Sequence, residues 1–217
     1  MRYAVLGTGE VGRTLAGKLV ALGHEVTLGS RGKDNPAGLE WAGGAGVLAR
    51  AGTFAEAAGA AEVVVNAVGG RVALEALRAA GAGNLDGKVI VDVSNPLAFD
   101  EGQPRLDPVE SDSVGEQIQR AFPHARVVKT LNTVNCQVMV DPGRVPGEHQ
   151  LFVCGDDNGA KEQVTSLLGE FGWPAERVLD LGGIRSARAL EMYLPLWLNL
   201  YRTLGHPDFN VELRRAR

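Results

Sequence analysis

The sequence predicts an α/β protein with a doubly wound, mostly parallel sheet and a small helical appendage at its C-terminal end. Three observations indicate this architecture. Short apolar runs rich in β-branched residues alternate with helical segments along the chain, which is typical of successive β-α-β units. A G-x-G-x-x-G motif, Gly7 to Gly12, stands between the first apolar run and the first helix, as in a Rossmann-type turn. The 29 glycines lie mainly at the ends of apolar runs, where tight strand-to-helix turns need them.

The first half of the chain contains five predicted strands. In chain order we expect them at residues 3–6, 24–28, 47–49, 62–68 and 88–93, the third being the weakest. Helices are expected at residues 10–22, in a short segment after Thr53, and at residues 72–80. Thr53 followed by Glu56 is a capping-box signal for the short helix.

The second half continues the alternation. We expect helices at residues 113–122 and 158–171, strands at 126–131, 151–154 and 178–181, and then one long C-terminal helix. No linker rich in proline or serine divides the chain. The sequence therefore predicts a Rossmann-type main domain over residues 1–181 and a small helical segment over residues 182–217.

Composition argues against a nucleic-acid partner and against a membrane span. A formal net charge of −4 and a pI near 5.6 argue against a nucleic-acid partner, which needs a concentrated basic face. The one long apolar stretch, residues 189–204, contains Glu191, Pro195, Asn199 and Arg202. Because such residues are costly in hydrocarbon, we expect no membrane span.

Cysteine and histidine usage points to a reducing compartment and no metal. Cys136 and Cys154 are too few for a disulfide framework and do not form a CxxC pair. None of the four histidines has a partner at metal-ligand spacing. The N-terminus has no export signal, so we expect a cytoplasmic protein.

The glycine motif predicts a dinucleotide site. Gly7 would permit the tight turn, Gly9 would let the backbone approach a pyrophosphate, and Gly12 would let the helix pack closely on the strand. The helix N-terminus adds free amides and a positive dipole end. The candidate cofactor-binding residues here are Gly7, Thr8, Gly9, Glu10, Val11 and Gly12.

The residues after the second strand favour NADP(H) over NAD(H). NAD sites usually place an acidic side chain there to bind the ribose 2′-hydroxyl. This chain instead has Ser30, Arg31 and Lys33, of which the arginine can bind a 2′-phosphate in a bidentate fashion. Asp34 follows the basic pair and is expected to turn outward.

Further candidates follow the later strands, because ligands of such sheets lie beyond the carboxyl ends of the strands. The expected nicotinamide contacts are Ala67, Val68, Asn95 and Pro96, and the expected acceptor contacts are Asn95, Lys129 and Asn132. Ordinary structural turns or a solvated strand end fit the same residues, so both interpretations stay open here.

The motifs in this order resemble those of the NADP oxidoreductases that use the deazaflavin coenzyme F420. They are Gly7 to Gly12, Gly29-Ser30-Arg31, Ser94-Asn95-Pro96, Lys129 to Thr133, Cys154 to Asp157, and Pro195 to Leu198. The chain is also similar to the cytosolic NADPH-oxidising domain of the six-transmembrane metalloreductases, although no membrane portion is present in this sequence.

The resemblance implies particular roles. It places Thr8, Ser30, Arg31 and Lys33 at the adenosine end of NADP and Val68, Asn95 and Pro96 near the nicotinamide. It also implies that hydride passes directly between nicotinamide and deazaflavin, with no side-chain nucleophile. Relatives commonly carry a proline and an aromatic residue after the fourth strand, where this chain has Gly69-Gly70. The acceptor therefore stays open.

Three functions remain at this point. The first is an oxidoreductase moving hydride between NADP(H) and a flavin-like acceptor, with F420 as one candidate, since no obvious proton donor is present. The second is an NADPH-dependent reductase of a small carbonyl or imine. The third is a non-catalytic NADP(H)-binding sensor.

The C-terminal helix bears on the oligomeric state. Its apolar residues recur at helical spacing: Leu190, Tyr193, Leu194, Trp197, Leu198 and Tyr201. With so small an appendage, we expect part of this face to be shared across a homodimer.

Overall fold

A mostly parallel sheet of eight strands forms the centre of the protein. The computed structural model describes residues 1–214 and 216. In chain order its strands are β1 (Arg2–Leu6), β2 (Glu25–Ser30), β3 (Ala49–Thr53), β4 (Val63–Asn66), β5 (Val89–Asp92), β6 (Leu97–Asp100), β7 (Gln103–Leu106), β8 (Arg126–Thr130), β9 (Leu151–Cys154) and β10 (Val178–Asp180). The main sheet has the order β10-β9-β8-β5-β4-β1-β2-β3, and β6 pairs with β7 in a separate antiparallel hairpin.

The strand order reverses beside β1, which lies between β4 and β2. Leu6 at the end of β1 is in register with Asn66 on one side and Gly29 on the other. An open crevice forms at such a switch point because the connections on its two sides leave to opposite faces. Among the described strands of the main sheet, β8 and β9 alone pair antiparallel, with Lys129 opposite Cys154. The predicted doubly wound, mostly parallel sheet is thus confirmed.

Helices cover both faces of the sheet. In chain order they are α1 (Glu10–Ala21), α2 (Pro36–Gly44), α3 (Phe54–Ala60), α4 (Gly70–Ala80), α5 (Ala82–Leu85), α6 (Val114–Ala121), α7 (Cys136–Val140), α8 (Asn158–Phe171), α9 (Ala187–Met192) and α10 (Leu194–Leu204). Short 3₁₀ turns occur at Pro142–Arg144, Ala175–Arg177 and Ile184–Ser186. The capping box at α3 is confirmed, because Thr53 and Glu56 exchange side-chain-to-backbone hydrogen bonds.

Several local features differ from the sequence-based prediction. The third strand is Ala49–Thr53, where residues 47–49 had been expected. Helix α2 occupies the passage that looked like a glycine-rich loop, since Asn35 caps it by accepting from the Gly38 amide. The β6–β7 hairpin was not predicted, because such short strands leave almost no periodic signal.

The expected single C-terminal helix is two helices. Helix α9 ends at Met192, and α10 begins at Leu194 with Pro195 in its first turn. Proline lacks an amide hydrogen and fits only the start of a helix, so it breaks the apolar run. The predicted segment 182–217 includes Arg215 and Arg217, which lie outside the described residues.

The core forms two apolar layers, one on each face of the sheet. Alternation along β1 sends Tyr3 and Val5 into one layer and Ala4 and Leu6 into the other. Trp173 lies in the first layer and donates from its indole nitrogen to the Met139 carbonyl, 3.0 Å away. Burial on both faces explains why the strands are continuous apolar runs.

Candidate active site

The glycine turn joins β1 to α1 with very little space. A β-carbon on Gly12 would lie 1.9 Å from the Gly7 carbonyl oxygen, and Gly7 itself has a φ of +117°. Helix α1 begins at Glu10, and no side chain caps its first turn. A β-carbon on Gly9 would have no atom within 4 Å. Free amides and a positive helix end therefore face open space at Gly9.

One crevice, which we call the outer crevice, opens beyond β2 and has a volume of about 320 Å³. It is lined by residues of the glycine turn, of the end of β2, of the start of α3 and of α4, among them Thr8, Ser30, Arg31, Phe54, Val72 and Glu75. The Ser30 hydroxyl donates to the Gly32 carbonyl, 2.6 Å away, and this bond closes the turn that carries Arg31. Arg31 is exposed on the crevice wall. Lys33 is exposed but is not part of the lining.

A second crevice, the inner crevice, lies beyond β4, β5 and β8 and has a volume of about 610 Å³. Its lining includes Glu10, Val11, Ser94, Asn95, Asn132, Cys136, Leu194, Trp197 and Tyr201. Ala67, Val68 and Gly69 line both crevices, so the two share one edge. A single extended ligand can therefore cross the carboxyl edge of the sheet at this point.

The two glycines after β4 have different surroundings. A β-carbon on Gly70 would lie 2.5 Å from the Asn95 carbonyl oxygen, to which the Gly70 amide also donates over 3.1 Å. A β-carbon on Gly69 would meet nothing within 4 Å. Gly70 thus lets the segment after β4 pack closely against the backbone at Asn95, whereas Gly69 leaves room at the edge that both crevices share.

Asn95 and Asn132 bridge two strand ends on the wall of the inner crevice. The Asn95 side-chain amide donates to the Asn132 carbonyl over 2.8 Å, and the Asn132 amide donates to Asn95 Oδ1 over 3.0 Å. Leu131 has a φ of +64°, a rare conformation for leucine that turns the chain sharply between the end of β8 and Asn132. Asn132 is 6% exposed, and within the described part of the chain its Oδ1 has no hydrogen-bond partner. Pro96 is buried behind this wall and is not part of the lining.

Lys129 does not reach the crevice, so the prediction that it contacts an acceptor is wrong. Its side chain is fully buried, with Nζ 2.8 Å from both Asp92 Oδ2 and Glu191 Oε1 and 2.5 Å from the Ser94 carbonyl oxygen. Burial alone lowers the pKa of Lys129, but the two carboxylates outweigh it and the net pKa is raised. A strand-end lysine is usually solvated, and the sequence held no sign that two distant acids converge on this one.

Aromatic side chains of α10 form the far wall of the inner crevice, whose lining includes Trp197 and Tyr201. The Trp197 ring stacks with the rings of Tyr201 and Phe209, whose centroids are 5.5 and 5.4 Å away. Among the residues that the structure describes, nothing pairs with the buried Trp197 Nε1. The apolar spacing of α10 was visible in the sequence, but its role in lining a crevice was not. That role depends on how α10 folds back over the sheet.

Cys136 and Glu10 meet where α7 faces the start of α1. The Cys136 Sγ donates to Glu10 Oε1 over 3.7 Å. Burial raises the pKa of the Cys136 thiol above its ordinary value. This thiol is therefore protonated and a poor nucleophile near neutral pH.

Comparisons with known proteins agree with this geometry. The family profile described as "NADP oxidoreductase coenzyme F420-dependent" matches residues 2–96. A crystal structure from Arthrobacter sp. FB24, provisionally described as an F420-dependent NADP reductase, is 49% identical with a TM-score of 0.93, and the match covers 98% of this chain and 99% of that one. The chain belongs to the coenzyme F420-dependent NADP oxidoreductase family. As a member of this family it is an NADP-dependent oxidoreductase.

This chain is also similar to two curated proteins. It is 28% identical over 210 residues to the F420-dependent NADP reductase of Methanothermobacter marburgensis, a match covering 92% of each chain. It is 33% identical over 200 residues to the metalloreductase STEAP3 of Rattus norvegicus, covering 90% of this chain and only 38% of the length of that relative.

Within residues 1–214 and 216, no helix is long and apolar enough to cross a bilayer. No three histidine, cysteine, aspartate or glutamate residues of that part are grouped as a metal site.

Proposed function

We propose that this protein transfers a hydride between NADP(H) in the outer crevice and a planar flavin-like acceptor in the inner crevice, with the deazaflavin F420 as the first candidate. The observation that carries this proposal is the shared edge at Ala67, Val68 and Gly69. A dinucleotide crossing that edge would present its nicotinamide to the inner crevice.

The outer crevice suits the adenosine end of NADP. Arg31 on its wall supplies a planar cation for a 2′-phosphate, and the Ser30 turn holds the backbone that carries it. The open space at Gly9, beside the uncapped start of α1, suits a pyrophosphate. Lys33 would act only as a nearby charge, because it lies outside the lining.

The inner crevice suits the nicotinamide and an acceptor ring. When bound, NADP(H) supplies the hydride. Among residues 1–214 and 216, nothing pairs with Asn132 Oδ1, which is an acceptor, or with Trp197 Nε1, which is a donor. These two groups complement the N–H and carbonyl edge that flavin-like rings carry. Asn95 keeps Asn132 oriented through their reciprocal bonds.

Ionisable side chains in the described lining of the inner crevice are few. They are Glu10, Cys136 and Tyr201. The Cys136 thiol is already engaged with Glu10 and has a raised pKa. Carbonyl or imine reduction needs a positioned proton donor, whereas ring-to-ring hydride transfer does not. With the hydroxyl of the exposed Tyr201 as its one uncommitted ionisable donor, the described lining favours a flavin-like acceptor.

We further propose that residues 1–181 act as the NADP-binding domain and residues 182–217 as an appendage that closes the inner crevice. Leu194 and Trp197 of the appendage line it directly. The acceptor would be a small redox molecule that enters between α10 and the end of β8.

The test is stopped-flow NADPH oxidation against a panel containing the deazaflavin, riboflavin phosphates and a cyclic imine. We expect rapid oxidation with a flavin-like acceptor and slower oxidation in Trp197→Ala. Leu39→Ala, on exposed α2, is the matched control. Turnover of the imine without flavin would support the reductase of small substrates instead. NADPH binding without oxidation by any acceptor would indicate a sensor.

A further inference from the structure

We infer that Lys129 and Glu191 are positioning residues that hold the two walls of the inner crevice at a fixed separation. This inference rests on the proposed function, because it concerns the wall against which the nicotinamide would lie. Neither side chain lines the crevice. Both would act through Ser94 and through helix α9.

Lys129 fixes the near wall. Its ammonium group donates to the Ser94 carbonyl oxygen, and Asp92 Oδ1 accepts from both the amide and the hydroxyl of Ser94, at 3.1 and 2.7 Å. Lys129 Nζ and Asp92 Oδ2 are themselves 2.8 Å apart. Every polar group of Ser94 is therefore held by this one ion pair. The next residue, Asn95, carries the side chain that orients Asn132.

Glu191 connects the same ammonium to the far wall. It lies on α9, 2.8 Å from Lys129 Nζ, and accepts from the amides of Val114 and Gly115 at the start of α6. Helix α10 follows after a single residue and carries Trp197 into the crevice. One buried cluster thus joins the turn after β5 to the helices that form the opposite side.

A gain in folding stability does not by itself explain why these charges are buried together. Taking ions out of water costs several kcal/mol each, and well-packed apolar side chains often stabilise a core as well or better. Two acids share one cation here, and burial raises the pKa of Glu191 above its ordinary value. Hydrogen-bonded ions fix the direction of their partners, which apolar side chains such as leucine do not. This property fits a role in positioning the walls of the inner crevice.

A ligand series separates geometry from folding. We would measure Kd for NADPH and for 2′,5′-ADP, which contains only the adenosine half of NADPH. We would also measure single-turnover hydride transfer from NADPH to the flavin-like acceptor that the wild-type protein reduces. In Glu191→Gln and in the triple variant Asp92→Asn/Lys129→Met/Glu191→Met, which removes every charge of the buried cluster, we expect 2′,5′-ADP affinity to stay within about twofold of wild type. Hydride transfer should fall about tenfold or more, because a misplaced wall disturbs the reacting geometry.

Glu116→Gln is the matched control. Glu116 on α6 pairs with Arg188 on α9 over 2.7 Å, so this variant removes another ion pair between the same two helices without touching Ser94. We expect it to keep wild-type hydride transfer.

Three outcomes would overturn the inference. They are folded Glu191→Gln and triple variants with wild-type hydride transfer, equal losses for NADPH and 2′,5′-ADP in all variants, and an equal loss of transfer in Glu116→Gln. If Glu191→Gln does not fold, the triple variant decides, because it removes all three charges of the cluster and leaves no buried carboxylate unpaired. Failure of wild-type protein to bind NADPH would instead overturn the proposed function.

Discussion

Gly12 lies directly against the carbonyl oxygen of Gly7, so that a β-carbon on Gly12 would come within 1.9 Å of that oxygen. Backbone atoms cannot yield as a flexible side chain can. Helix α1 therefore starts as close to β1 as two backbones allow, and its first amides face the open space at Gly9.

Replacing Gly12 by alanine is expected to lower the free energy of unfolding by about 1–3 kcal/mol, because the turn must open to admit the methyl group. NADPH binding should weaken in parallel as the start of α1 shifts. Gly17→Ala in the same helix is the control, since its β-carbon meets nothing within 4 Å. It should stabilise the helix by about 0.5–1 kcal/mol. Denaturant unfolding of both variants checks this, and equal stabilities would contradict it.

Arg31→Ala is expected to weaken NADPH binding about tenfold or more while leaving NADH binding nearly unchanged, because a bidentate bond to a phosphate is worth roughly 1.5–3 kcal/mol. Lys33→Ala should have a smaller effect, since Lys33 lies outside the crevice lining. Fluorescence titration with both reduced cofactors measures the ratio. An unchanged ratio in Arg31→Ala would refute the 2′-phosphate role.

The pair Gly69 and Gly70 predicts opposite outcomes at adjacent positions. Gly70→Ala should destabilise the fold, because its β-carbon would lie 2.5 Å from the Asn95 carbonyl oxygen. Gly69→Val should fold normally, because a β-carbon there has free space, but it should impair ligand binding at the edge that both crevices share. Thermal unfolding and NADPH titration distinguish the two. Unaltered binding in Gly69→Val would mean that no ligand crosses this edge.

The pair of Glu116 and Arg188 predicts a pH dependence of stability. Hydrogen bonds from Arg188 hold the pKa of Glu116 below its ordinary value of 4.5. The pair therefore stabilises the fold above about pH 4.5, and this contribution is lost as pH falls through the lower folded-state pKa. At neutral pH, Glu116→Gln should cost about 1 kcal/mol. The difference in the free energy of unfolding between wild type and Glu116→Gln should shrink in acid. Glu40→Gln, at an exposed position, is the control. A difference for Glu116→Gln that does not change with pH would contradict this prediction.

The exposed side of α10 leads us to propose a homodimer. Leu196 and Leu204 are 53% and 48% exposed, and with Leu200 they follow an i, i+4, i+8 spacing on one helix face. Multi-angle light scattering should give twice the chain mass for wild type and for Leu39→Glu, and the chain mass for Leu196→Glu/Leu204→Glu. A monomeric wild type would refute this proposal.

Local signals in the sequence were sufficient for the sheet and for the glycine turn. Strand β1, the glycine motif and α1 are adjacent in the chain, and their apolar spacing and turn residues act over a few positions. Ser30 and Arg31 line the outer crevice because they stand at the carboxyl end of β2. Asn35, which caps α2, and Pro195, in the first turn of α10, were also present in the sequence. The apolar period of α2 was nevertheless too weak for that helix to be predicted.

By itself, then, the sequence determined an α/β sheet and the residues offered at the ends of its strands. Only the tertiary structure decided which of those residues reach a ligand. Lys129 and Asn132 are three positions apart, but one is fully buried between Asp92 and Glu191 and the other lines the crevice. The physical reason is that burial and ion pairing depend on groups far apart in the chain, whose approach is set by the folding of α9 and α10 onto the sheet.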